Sequence, residues 1–389
     1  MIDEMLAYNK KFVAEKQYER YASDKYPNKK IAILTCMDTR LVELLPAALG
    51  LKNGDVKIIK ENWAAMEKYM ARCAETRYEI KAIQGECRNY QWADWLSYEA
   101  LESCSGKFRG QHGPKAEAIH YWEYLGACYW LWNSGMMCEM AQAMGDNSGA
   151  LKYRRMEADA RKYLKEKFFD ADGKFKLDLL NTMQTPALFA LKLGLVEGEA
   201  KARMAAALKK NIADHGDCLQ TGFLGTSILM ETLSENGMTD VAYTLLLQHK
   251  NPSWLYSVDQ GATTIWERWN SYRKDTGFGD VGMNSFNHYA YGAVLSWIYK
   301  VAAGIAADPK APGFKNVVMA PQPDRRLGHV NASYKTRFGE VKSAWRYEGD
   351  TWVWDFTVPK GATASVTLPG EKQARTYAPG TYHETVKGL

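Results

Sequence analysis

In TTIWERW, residues 263–269, a single carboxylate, Glu267, stands between Trp266 and Trp269, with two threonines and an isoleucine before it and Arg268 beside it. A lone carboxylate set among aromatic side chains raises the possibility of acid–base chemistry. The alternative is structural: the same side chain paired with Arg268 or set at a helix end. The chain carries 13 Trp and 23 Tyr, a surplus that either fills a large core or lines surfaces that stack on flat or sugar-like rings. Its seven cysteines are scattered, odd in number and without CxxC spacing, which supports neither a disulfide framework nor a zinc ribbon and fits a reducing compartment.

Holding such a residue in place falls to the elements around it. The 389 residues suffice for two or three domains. Residues 1–60 read as a helix, the strand KIAILTC, the loop MDTR, the short helix LVELLPAALG and a second strand DVKIIK, an α/β opening too short to close its own sheet. From residue 61 to about 307 the chain reads as paired helices. AIHYWEYLGACYWLWNSGMMCEMAQAMG places Trp122, Leu125, Tyr129, Trp132, Met136 and Met140 on one stripe, and its partner puts Met156, Ala160, Tyr163 and Leu164 opposite charges before a turn at residues 170–173. TPALFALKLGL, AKARMAAALKKNIADHG, TGFLGTSILMETLSENG, TDVAYTLLLQ and NHYAYGAVLSWIYKVAAGI continue the alternation. Helical hairpins of this kind close into a toroid or stack into a solenoid, and the pattern alone does not separate the two. From about residue 308 the period becomes two. Trp352, Trp354, Phe356 and Val358 share one face of an antiparallel strand, and residues 308–389 read as a small β-sandwich.

Apolar residues make up 46% of the chain, and 50 basic against 45 acidic side chains leave a formal charge of +5, which argues for neither a nucleic acid nor a membrane partner. The opening MIDEMLAYNKKFVAEKQYER is charged throughout and no stretch approaches the length of a membrane span, so the expected compartment is the cytoplasm.

The strings QWADWLSYE, NPSWLYSVDQGATTIWERW, GMNSFNHYAYGAVLSWIYKVAAGI and PGFKNVVMAPQP resemble the C-terminal portion of the family 78 α-L-rhamnosidases, over about residues 61–389. The resemblance implies an (α/α)6 toroid, here incomplete, followed by a C-terminal β-sandwich, and inverting hydrolysis of terminal α-L-rhamnosides without a cofactor. It makes Glu267 the general base, with Trp266 and Trp269 flanking the sugar. Asp94, whose carboxylate offers up to four lone-pair sites, would accept from sugar hydroxyls, or else cap the helix beginning WLSYEALE. Trp95, Trp254 and His288 complete the implied sugar contacts; each is otherwise a packing or structural residue. In that family the general acid lies upstream, in a segment of the form C-P-Q-R followed by acidic residues and L-G-W, and no such string occurs in this chain. Cys218 stands where the family commonly has histidine.

Residues 1–60 instead resemble the opening of a β-class carbonic anhydrase. TCMDTR matches that family's C-x-D-x-R, which makes Cys36 a zinc ligand and Asp38 with Arg40 the dyad that gates the open coordination position. A catalytic zinc takes three protein ligands, and the family's downstream H-x-x-C is matched only by His215 and Cys218, inside the rhamnosidase-like part. The zinc site is therefore incomplete. Three expectations follow: a rhamnoside hydrolase impaired by the missing acid segment, a carbohydrate-binding remnant without turnover, and a zinc carbonic anhydrase fragment. The expected partners are rhamnose-containing glycosides.

Overall fold

The structure, a computed structural model, describes residues 56–76, 82–83, 86–87, 94–99, 109–110, 113–114, 116–280, 282 and 284–389. The readings made for residues 1–55, with Cys36, Asp38 and Arg40, lie outside the described residues. DVKIIK is not a strand: from Val56 it opens helix α1 (Val56–Thr76). The alternation in VKII spans one short run, whereas Ile59, Trp63, Met66 and Met70 keep helical spacing over three turns, and burial of that face decides the outcome.

Helix α2 (Ala116–Met144) is buried nearly all round rather than along one stripe. Tyr121, Tyr124, Leu125, Cys128 and Leu131 enter the main core, Met137, Met140 and Ala141 meet the α1 face, and the expected Tyr129, Trp132 and Met136 are only half-buried. A helix packed against α1, α3 (Asn147–Phe168) and α4 (Gln184–Lys192) has no single apolar side to show. Helix α3 is amphipathic as expected: the Asp146 carboxylate caps it by accepting from the Gly149 N–H at 2.9 Å, and Ala160, Leu164 and Phe168 are buried.

Helix α4 and helix α6 (Phe223–Glu235) pack side by side, each with an amphipathic neighbour, α5 (Gly198–Asp214) and α7 (Thr239–Leu246). A short α8 (Trp254–Asp259) follows, capped by the Ser253 hydroxyl. NHYAYGAVLSWIYKVAAGI is not one α-helix: it runs 3-10 over Ala290–Ala293, α over Val294–Trp297 and π over Ile298–Ala302. The wide last turn frees the carbonyls of Ala302 and Ala303, which accept from Trp345 Nε1 at 2.7 Å and Ser343 Oγ at 2.6 Å. The helical core and the sheets are joined at these bonds.

The C-terminal sheets comprise β1 (Ile305–Ala307), β2 (Asn316–Met319), β3 (His329–Thr336), β4 (Gly339–Glu348), β5 (Thr351–Val358), β6 (Thr363–Val366), β7 (Arg375–Tyr377) and β8 (Gly380–Lys387). They form two four-stranded sheets, ordered β8-β5-β4-β3 and β7-β6-β2-β1. Trp345 pairs with Trp354 across β4 and β5, and Trp352, Trp354, Phe356 and Val358 all point into the core. One pair, β2 with β6, is parallel, so the sandwich is not wholly antiparallel. Among the described residues no helix is long and apolar enough to cross a membrane.

Candidate functional site

A strap, residues 94–99, is pinned across the N-termini of two core helices. Asp94 is fully buried, and its carboxylate accepts from the N–H groups of Gly222 (2.8 Å), Leu224 (2.7 Å) and Gly225 (3.0 Å) and from the Thr185 hydroxyl. Burial raises its pKa and these bonds pull it back. Asp94 therefore caps α6, a helix 128 residues away in sequence, rather than the local helix beginning WLSYEALE, and both its carboxylate oxygens are engaged there. Glu99 does the same for α4, accepting from the Gln184 N–H at 2.8 and 3.0 Å. Between them Ser97 Oγ donates to the Gln220 carbonyl at 2.8 Å, and Tyr98 Oη donates to Asn251 Oδ1 at 3.0 Å. Trp95 is half-buried, and its backbone carbonyl accepts from the Phe223 N–H at 3.0 Å.

Burial lifts Glu99 from 4.5 to about 8, with the neighbouring Asp94 adding to the rise and the Gln184 N–H opposing it. A raised value in the folded chain means that the folded state binds this proton more tightly than the unfolded state. The stability it contributes is complete below about pH 4.5 and is lost as the pH climbs through about 8. In the Glu99→Gln chain, which keeps an acceptor for Gln184, thermal melts should show a flatter pH dependence between pH 5 and 8 than in the parent. An unchanged slope would show that Glu99 is not protonated in this window.

Glu267 sits on a segment that runs beside residues 285–288. Its N–H donates to the Ser285 carbonyl at 2.8 Å, its Oε2 accepts from the Ser285 N–H at 2.7 Å, and the His288 N–H donates to the Ile265 carbonyl at 2.9 Å. Oε1 has no hydrogen-bond partner among the described residues. The structural alternative, a pair with Arg268, is not formed: Arg268 Nη2 faces Asp280 Oδ2 at 3.8 Å.

His288 stacks on Phe223, centroids 4.5 Å apart, and its Nδ1 accepts from the Ala290 N–H at 3.3 Å. That bond assigns the ring proton to Nε2 in the neutral form, and burial lowers the His288 pKa despite the nearby charge of Glu267, so the neutral form prevails. Nε2 is buried and has no hydrogen-bond partner among the described residues. Beneath it lies an aromatic stack. Trp269 lies on Tyr291 at 3.9 Å, Trp254 meets Trp269 edge-on at 5.3 Å and donates from Nε1 to the Tyr291 carbonyl at 2.9 Å. Trp266 packs edge-on against Phe286 at 5.3 Å. Trp254, Trp266 and Trp269 are all buried, so they act first as walls that fix the loop.

The structure thus gathers Glu267, His288 and the three tryptophans, and sets Asp94 beneath them as a helix cap. The sequence reading missed Tyr98, Arg268 as a site member, Phe223, Asn284 and Tyr291. The only sequence signal for these was their place inside the quoted strings. A cavity of about 650 Å³, lined by Asp172, Met183, Arg203 and Asn211 among others, includes none of the site residues. His215 Nδ1 lies 2.8 Å from the Asn211 carbonyl, and Cys218 is buried with its thiol toward the Gly216 carbonyl. Neither is presented to a shared metal, and no group of three His, Cys, Asp or Glu able to hold a metal ion is found among the described residues. Cys36, Asp38 and Arg40 lie outside the described residues.

Residues 14–302 match the family described as the bacterial α-L-rhamnosidase six-hairpin glycosidase domain, and residues 304–383 match the bacterial α-L-rhamnosidase C-terminal domain. An α-L-rhamnosidase of Formosa agariphila is 34% identical over 326 residues, 84% of this chain and 33% of the relative. The solved α-L-rhamnosidase of Streptomyces avermitilis, complexed with L-rhamnose, superposes with a TM-score of 0.73 at 28% identity, covering 88% of this chain and 32% of its own. The N-terminal segment is similar to YtiB, a carbonic anhydrase-like protein of Bacillus subtilis, 58% identical over 60 residues, 15% of this chain and 32% of the relative. The chain spans about a quarter to a third of the length of the curated relatives it matches.

Proposed function

The chain belongs to the bacterial α-L-rhamnosidase family, and on that premise we propose that its site takes terminal α-L-rhamnosides, with Glu267 as the base that activates water for inverting hydrolysis. The observation that carries the reading is the state of one carboxylate. Oε2 of Glu267 is held by the Ser285 N–H while Oε1 has no hydrogen-bond partner among the described residues, in a wall of buried aromatic rings. A base must keep one lone pair for the proton it takes and hold the carboxylate still while taking it. In the proposed step Oε1 accepts a proton from water, the water oxygen bonds to the anomeric carbon from the face opposite the aglycone, and the aglycone oxygen leaves with the bonding pair. The neutral His288 donates from Nε2 to a sugar hydroxyl, and the tryptophan walls keep out other water. Asp94 serves by fixing the strap and α6 beneath the site.

The family's acid-bearing string does not occur in the sequence, so the step as written gives the leaving oxygen no proton. That fact favours a second reading, a site that binds rhamnosides without turning them over. An aryl α-L-rhamnoside separates the two, because an aryl oxide departs with little assistance. Release of the phenol by the full chain supports hydrolysis. Saturable L-rhamnose binding without release selects the binding module, and neither binding nor release removes the rhamnoside reading altogether.

A further inference from the structure

Three buried donors beside Glu267 have no hydrogen-bond partner among the described residues: Arg268 Nε, Trp269 Nε1 and Tyr291 Oη. They are contiguous, since Arg268 and Trp269 follow Glu267 in the chain and the Tyr291 ring lies on Trp269. The Tyr291 phenol is also within electrostatic reach of Asp94, Tyr98, Arg268 and Glu267. Beside them Asn284 Oδ1 is an acceptor without a partner among the described residues, and its amide nitrogen donates to the Ser271 carbonyl at 2.8 Å. Buried polar groups without partners destabilise a folded chain, and native proteins hold few of them. Several around one carboxylate mark a place where an oxygen-rich guest supplies what the protein withholds.

We propose that Tyr291 and Arg268 are specificity-determining residues of this site, their donors kept for acceptor oxygens of the bound sugar. The inference rests on the rhamnoside reading and extends it to two residues outside the Glu267–His288 pair. Burial holds the Tyr291 phenol well above its ordinary range, so the hydroxyl keeps its proton and acts only as a donor toward such an oxygen. Arg268 is free for the same work because its ion pair with Asp280 is long, at 3.8 Å, and engages Nη2 rather than Nε. The ring of Tyr291 has a separate structural task, stacking on Trp269 and meeting Phe223 edge-on at 5.2 Å, and phenylalanine preserves it.

That separation makes the test decisive. Removing a hydroxyl that has no partner in the free protein relieves a desolvation penalty, whereas removing one that serves a structural bond or an internal water weakens the fold. The full chain and its Tyr291→Phe and Arg268→Lys variants are compared by thermal melting without sugar and by calorimetric titration with L-rhamnose. Tyr291→Phe should melt no lower than the parent and bind L-rhamnose roughly threefold to tenfold more weakly. Arg268→Lys, which keeps the charge and loses the Nε donor, should weaken binding to a similar degree. Equal affinity in parent and Tyr291→Phe would overturn the proposal. So would a lower melting temperature in Tyr291→Phe, whatever its affinity, because the hydroxyl would then have a partner in the free protein. No saturable binding by the parent chain would instead reject the rhamnoside reading, and this inference with it.

Discussion

Gly222→Ala is expected to cost about 3 kcal/mol of stability and to lower the thermal midpoint by roughly 5–10 °C. The backbone conformation of Gly222 is an extended one that alanine also adopts, so the cost is one of space. A Cβ at this position would stand 2.2 Å from the Trp95 carbonyl oxygen, 2.6 Å from the Ser97 nitrogen and 2.7 Å from the Asp94 carbonyl oxygen, all of them backbone atoms. The strap must therefore move. Moving it breaks the bond from the Phe223 N–H to the Trp95 carbonyl and draws the Asp94 carboxylate away from α6, leaving helix N–H groups unpaired in the core. Circular-dichroism melts of parent and variant check this; an unchanged midpoint would mean that the strap does not lie against α6 as described.

Glu267→Gln is expected to lower turnover of an aryl α-L-rhamnoside by about 100- to 10,000-fold, the usual loss when a positioned general base is removed. Glutamine matches the size of the side chain and can still accept from the Ser285 N–H, so the melting temperature should stay close to that of the parent. What disappears is the lone pair basic enough to take the proton from water. KM should move little, since the interaction lost is one made in the transition state. Undiminished turnover in the variant would return Glu267 to a structural role.

Some of this was legible in the residues and some was not, for reasons that differ from place to place. The β5 strand could be read because a period of two with one buried face leaves no other assignment for Trp352, Trp354, Phe356 and Val358. Helix α3 could be read because it is packed on one side only. Helix α2 defeated a one-stripe reading because three neighbours surround it, and VKIIK went to the helix because its burial partners on α2 lie some 80 residues further on, beyond the reach of local pattern. In the site, the string around Glu267 was conspicuous, yet its anchor Ser285 and the stacking of Tyr291 on Trp269 depend on a chain reversal that no spacing encodes. Asp94 is the clearest case. A carboxylate just ahead of WLSYEALE invites the reading of a local cap or an exposed ligand, and only the folded chain brings the bare N-terminus of α6 to it.

The measurement that bears most directly on the central claim is the anomeric form of the sugar first released when the full chain acts on an aryl α-L-rhamnoside, followed by proton NMR before mutarotation. Water activated by Glu267 on the face opposite the aglycone yields β-L-rhamnose first. Initial release of the α anomer, or no release of sugar, would contradict the account.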